Sequence, residues 1–169
     1  QASATGQYSL SVGGNSVASG SLRSAFGDTA KATGDNSTSV GDFTSAGGDY
    51  SVALGANSFA GADNSVAIGN GANNPTATSS IINIAIGTSA KTGATATIFS
   101  GGQIAIGNKA TTDVQGSIAI GEWSTSTGFH RQIAIGWSAS SLGNSSIAFG
   151  RESKASGDFS MAQGTGALT

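Results

Sequence analysis

Side chains able to do chemistry are few in this sequence and far apart. His130 is the single histidine and cysteine is absent. A His- or Cys-based metal cluster and a histidine-assisted nucleophile therefore lack their parts. The nine Asp and Glu are spread about one to a turn, and none is set against a base as acid–base catalysis requires. Gly47-Gly48-Asp49 has the look of a calcium-binding nonapeptide, but it occurs once and at the wrong period, so turn chemistry accounts for it. No glycine-rich loop runs into Lys-Ser/Thr, which removes a phosphate cradle. With seven scattered Lys and Arg and a net charge of −2 there is no basic stripe, so nucleic acid is not a partner. The residues predict a non-enzyme without metal or cofactor. Groups suited to recognition remain: Asn73, Asn74 and Phe99 in two long connections, and Trp123, His130, Arg131 and Trp137 further on.

What must position these groups is a repeat. A register glycine returns at Gly13, Gly27, Gly41, Gly55, Gly69, Gly87, Gly107, Gly121, Gly136, Gly150 and Gly164, in steps of 14, 14, 14, 14, 18, 20, 14, 15, 14 and 14 residues. Such a period marks a stacked array. Two positions before each glycine stands only Ala or Ser, while one and three before it stand mostly Val or Ile, as in Asn64-Ser65-Val66-Ala67-Ile68-Gly69. Large and small residues alternating at period 2 make a strand. A second, more polar copy lies between, such as Ser16-Val17-Ala18-Ser19-Gly20 and Ser153-Lys154-Ala155-Ser156-Gly157. Each unit is thus two short strands and two turns, and the fold class is all-β: a parallel β-solenoid of about 14-residue coils. The glycines, and the Asp or Asn after them (Asp28, Asp35, Asp42, Asp49, Asn70, Asn108, Asn144, Asp158), suit turns with positive φ.

Volume assigns the faces. A coil this short encloses little space, so the Ala and Ser positions line the interior. Val52, Leu54, Val66, Ile68, Ile84, Ile86, Ile104, Ile106, Ile118, Ile120, Ile133, Ile135, Ile147 and Phe149 then point outward as one apolar stripe. At ~4.8 Å per coil the stripe is roughly 50 Å long, and a patch of that size marks an interface, here with copies of the same chain. The opposite assignment, Val and Ile inward in a monomer, is the alternative.

Residues 1–169 read as a single repeat domain with loop insertions near 70–82 and 93–103. The first coils, with Ser24 and Thr38 in place of Val or Ile, are expected to be its looser end. The two swollen coils are adjacent, so both loops leave on one side, either as a binding feature or as inert insertions. The 15-residue step implies a bulge near Phe129-His130. Trp123 and Trp137 follow register glycines in successive coils, so their rings are expected one above the other, gripping a ligand or packing a seam. Tyr8, Tyr50 and Phe159 share the fifth place before a glycine, at the edge of the stripe. With 27 glycines, one proline and only 9 % charged residues, hydroxyls and amides carry solubility. No run of about 18 apolar residues spans a membrane. The absence of cysteine fits a secreted or cell-surface protein, and the opening in mid-pattern fits a processed or trimmed piece.

The recurring Asn-Ser-Val-Ala-Ile-Gly-x-x-Ser, in phase over nearly the whole chain, resembles the YadA-like head of trimeric autotransporter adhesins. The resemblance implies a left-handed parallel β-roll, three rolls packed as a homotrimer, and display at the bacterial cell surface. The outer-membrane anchor and coiled-coil stalk would be parts outside this chain. It also implies a role in virulence and cell adhesion, through binding of collagen, fibronectin, laminin or a host surface glycoprotein, and in autoagglutination. In collagen-binding relatives the repeats carry the site, which maps it to Asn64, Ser65 and Val66, and to Ser51, Val52, Ala53 and Ser58. Ala72 stands where the first copy's last Ser would be, and Tyr50 where the second copy's Asn would be. The rival of a different class is a structural spacer or phage-type trimeric fibre segment with no ligand of its own.

Overall fold

The computed structural model describes residues 1–75, 82–93, 102–128 and 130–169. Phe99, Phe129 and most of both inserted loops lie outside the described residues. The chain winds as a parallel β-solenoid of about ten turns, and its described residues form two sheets of eleven strands each. Three-residue strands such as Val66–Ile68 form one sheet and two-residue strands such as Phe59–Ala60 form the other. Every strand pairs with its equivalent one coil along: Val66 lies beside Val52 and Ile84, and Ile118 beside Ile104 and Ile133. The turns are laddered as well, with Gly69 N–H donating to the Leu54 carbonyl at 2.8 Å and Asn64 N–H to that of Asp49 at 2.7 Å. The weakly apolar first coils keep the same register, Leu10–Val12 pairing with Ser24–Phe26 and that strand with Thr38–Val40.

Small residues fill the interior. Ala25, Ala53, Ala67, Ala85, Ala105, Ala119, Ala134 and Ala148 on the longer strands are wholly buried, opposite Ala18, Ala32, Ala46, Ala60 and Ala155 on the shorter ones. Methyl groups alone supply little hydrophobic energy at ~25 cal/mol per Å², so the inter-coil hydrogen bonds bear an unusual share of the stability. Hydroxyls close the turns from inside: Ser51 donates to the Gly48 carbonyl at 2.6 Å, Ser146 to Gly143 at 2.7 Å and Ser124 to Gly121 at 2.8 Å. Each satisfies a carbonyl that the sheets leave unpaired.

The register glycine is a steric requirement. Gly121 has φ +128°, and a Cβ there would lie 2.4 Å from the Gly136 carbonyl oxygen of the next coil. The Asp and Asn that follow such glycines do not carry the second positive φ. That falls one residue later, on Asn57 (φ 56°), Phe43 (φ 52°) and Trp123 (φ 60°), and likewise in the other turn on Tyr8, Tyr50 and Phe159. The acids cap neighbouring coils instead, Asp49 accepting from Asp35 N–H at 2.7 Å and Asp63 from Asp49 N–H at 2.9 Å. The ladder of stacked amides fixes which turn residue is left-handed, and residue preference follows where it can.

In sequence, the extra residues of both long coils fall between a short strand and the longer strand that follows it. Asn70–Asn74 are not part of the first insertion: Asn73–Asn74 is a short strand paired with Phe59–Ala60, and the excess lies between 75 and 83. The second lies between Thr92 and Ile104, and pairing of the longer strands passes both sites without a slip. Inside these coils amides replace Ala and Ser. Asn74, Asn83, Thr92, Gln103 and Thr112 are buried. Asn74 Nδ2 donates to the Val66 carbonyl at 2.6 Å, Thr92 Oγ1 to Asn74 Oδ1 at 2.7 Å, and Gly93 N–H to Gln103 Oε1 at 2.8 Å.

Candidate functional site

The solenoid presents two flat faces and two turn edges, and the sequence-derived candidates divide among them by burial. On the longer-strand face Val52, Leu54, Val66, Ile68, Ile84, Ile86, Ile104, Ile106, Ile118, Ile120, Ile133, Ile135, Ile147 and Phe149 all point outward, half-buried or exposed. Parallel pairing puts like on like, Ile104 beside Ile118 beside Ile133. The inward alternative is excluded, since Ala67 and Ala119 occupy the interior between them. The result is one continuous apolar strip, with Leu10, Val12, Val40 and Met161 prolonging it on exposed positions.

The opposite face carries the outward residue of each short strand: Ser3, Val17, Lys31, Ser45, Phe59, Asn73, Lys91, Thr111, Thr125, Ser140 and Lys154. It is flat and rich in hydroxyls, and Thr125 Oγ1 donates to Ser140 Oγ at 3.2 Å.

Five of the candidate contact residues turn inward. Ser51, Ala53, Ser58, Ser65 and Asn74 are buried, so a ligand outside the roll meets none of their side chains. Their letters recur because turn closure and interior volume demand them. Val52 and Val66 sit on the apolar strip, and Asn64 is an exposed left-handed turn residue (φ 55°). Asn73 is half-buried on the hydroxyl face.

The inserted loops leave from the turn that precedes each longer strand. His130 and Arg131 lie exposed on the same edge, in one turn two coils beyond the second loop, with Arg131 taking the left-handed place (φ 58°). Gln132, next in line, is buried and donates from Nε2 to the Gly143 carbonyl at 2.9 Å. The extra residue of this coil falls in sequence between Thr125–Ser126 and Ile133–Ile135, whose pairing keeps its register.

The tryptophans lie on the other edge and are not in one column. Trp123 is the second residue after its glycine and Trp137 the first after its own, so the ladder sets Ser138 beside Trp123, with its N–H donating to the Glu122 carbonyl at 2.9 Å. Each ring takes a cation from an adjacent coil. Lys109 Nζ is 3.9 Å from the Trp123 ring centre and Arg151 Cζ is 5.2 Å from that of Trp137. Glu122 Oε1 accepts from Trp123 Nε1 at 3.1 Å and from Asn108 Nδ2 at 3.2 Å. Sequence reasoning missed Lys109 and Arg151, although their distance from the register glycines places them on this edge.

Among the described residues no group of three or more His, Asp or Glu is placed to hold a metal ion, and no helix is long and apolar enough to cross a membrane. No curated protein matches the sequence. The family model for the YadA head domain repeat matches residues 4–21, 24–44, 46–72, 104–122, 133–153 and 141–167, well over half of the chain. Its gaps include the two swollen coils and the tryptophan turn of Trp123. With its glycine register, Ala-lined interior and coil-by-coil pairing, the chain belongs to the YadA head domain family.

Proposed function

We propose that this chain is the head of a homotrimeric bacterial surface adhesin, three left-handed rolls packed along their apolar strips. The observation that carries the reading is the strip itself: outward Val and Ile kept in register across the stack in a member of the YadA head family. Covering what each outward Ile still exposes is worth up to about 1 kcal/mol, and threefold packing gathers that gain along the full length. The hydroxyl-rich face and both turn edges then face outward, where a host matrix protein such as collagen, fibronectin or laminin, or a host surface glycoprotein, would be met. Placement outside the outer membrane, on a stalk and anchor beyond this chain, follows from the same reading, as do a part in virulence and autoagglutination. No step of it calls for catalysis, a metal or a cofactor.

The test is attachment of the assembled head to immobilised collagen, fibronectin and laminin, beside a version with residues 75–83 and 93–103 cut to the five-residue turn of the regular coils. Saturable binding to one matrix protein supports the adhesin, and its loss on trimming assigns the contact to the loops. Absence of binding to every matrix and cell surface would leave a length-setting spacer or fibre segment.

A further inference from the structure

Over four consecutive coils one turn edge gathers two tryptophans and four charged side chains. After Gly107, Gly121, Gly136 and Gly150 the first two residues are Asn108-Lys109, Glu122-Trp123, Trp137-Ser138 and Arg151-Glu152. The inter-coil ladder aligns them as two adjoining columns, Trp123 N–H donating to the Asn108 carbonyl and Glu152 N–H to that of Trp137, at 2.9 and 2.8 Å. Lys109 and Arg151 bracket the tryptophan pair from the two ends, and Glu122 accepts from the Trp123 indole. Held in this way, Trp123 and Trp137 are still 46 % and 44 % exposed as residues. Trp123 does so from a left-handed backbone, which costs a bulky residue about 1–2 kcal/mol and which Asn57 holds at the same place more cheaply.

Charge and locality narrow the occupant. Lys109 and Arg151 are balanced by Glu122 and Glu152, the last only 3.3 Å from Arg151, so the edge has no net field to draw a polyanion. The cluster is also confined to four coils. A seam with another roll would repeat its residues in each coil, as the apolar strip does. Aromatic faces flanked by carboxylate, amide and guanidinium suit a ligand with one C–H face and a rim of hydroxyls. We propose that Trp123 and Trp137, with Asn108, Glu122 and Arg151, bind a neutral oligosaccharide. The inference deepens the adhesin reading and rests on it for the source of the sugar, a host surface glycoprotein.

The chain has only two tryptophans, so emission excited selectively from tryptophan reports this edge alone. The full chain is titrated with neutral galactose- and N-acetylglucosamine-containing oligosaccharides, and with sialylated and sulfated ones. The expected result is a saturable change in emission with a neutral sugar. Binding read on a glycan array should weaken about tenfold or more in Trp123→Ala and in Trp137→Ala. Phe43→Ala, at the turn place equivalent to Trp123 five coils away, should bind as the parent does. The proposal is overturned if no neutral sugar binds, if sulfated chains are preferred, or if both tryptophan variants bind unchanged. It is equally overturned if acrylamide reaches the tryptophans only after the rolls are separated, because a second copy then covers them. Attachment to matrix protein without sugar binding removes this inference and leaves the adhesin; sugar binding without attachment to any host surface does the reverse.

Discussion

Replacing Ile118 and Ile120 by Asp tests the apolar strip where the fold itself is least involved. Both side chains leave the roll on the outward face while Ala119 between them fills the interior, so the coil keeps its packing and its inter-coil hydrogen bonds. Within one chain Ile120 keeps 37 % of its surface in water, and covering that much is worth about 0.5–1 kcal/mol. An Asp in its place forfeits this gain. It must also leave water between Ile106 and Ile135, and at position 118 between Ile104 and Ile133. Burial of an unpaired carboxylate costs several kcal/mol. With two substitutions in each of three chains the penalty is on the order of 10 kcal/mol or more per trimer, comparable with the whole free energy of a nanomolar association. Light scattering after size exclusion should give three times 16.3 kDa for the parent chain and a single-chain mass for the variant, with far-ultraviolet circular dichroism unchanged. Thr111→Asp with Thr125→Asp, on the opposite face, should leave the mass of the parent. A parent of single-chain mass, or a doubly substituted variant that still assembles, refutes the reasoning.

Two further outcomes follow from the roll itself. Gly121→Ala should lower unfolding stability by about 3 kcal/mol, because its φ of +128° is foreign to L residues and the new methyl meets the Gly136 carbonyl at 2.4 Å; a urea midpoint equal to the parent's would contradict it. Gln103→Ser should cost about 1–3 kcal/mol in the same melt, since Gln103 Oε1 accepts from Gly93 N–H at 2.8 Å and from Thr112 Oγ1 at 3.4 Å and both donors would be left buried without it. A neutral result there would mean that the amides under the swollen coils only fill space.

How far the sequence reaches depends on what each residue answers to. Alternation along Val66-Ala67-Ile68 answers to a face, and a coil too narrow for Ile leaves one assignment, so the inward Ala and outward Ile are legible by counting. The left-handed turn place answers to the stacked amides instead: Trp123, Phe43 and Tyr50 take it against their own preference, and no reading of Asp and Asn preferences finds them. Asn73 and Asn74 look like loop because their strand has lost its Ala, yet Asn74 serves inside by giving Val66 and Thr92 hydrogen-bond partners. Ser51 and Ser65 mislead in the opposite sense. A motif letter that recurs suggests contact with a ligand, but each hydroxyl is spent on the carbonyl three residues before it, at 2.6 Å in both turns. In a repeat this tight, recurrence marks what the stack needs, and departure from it marks what the stack does not explain. By that criterion the departures worth pursuing are the long turns after Asn74 and Thr92 and the edge bearing Lys109, Glu122, Trp123, Trp137 and Arg151. Both break a periodic pattern without disturbing the register of the strands beside them.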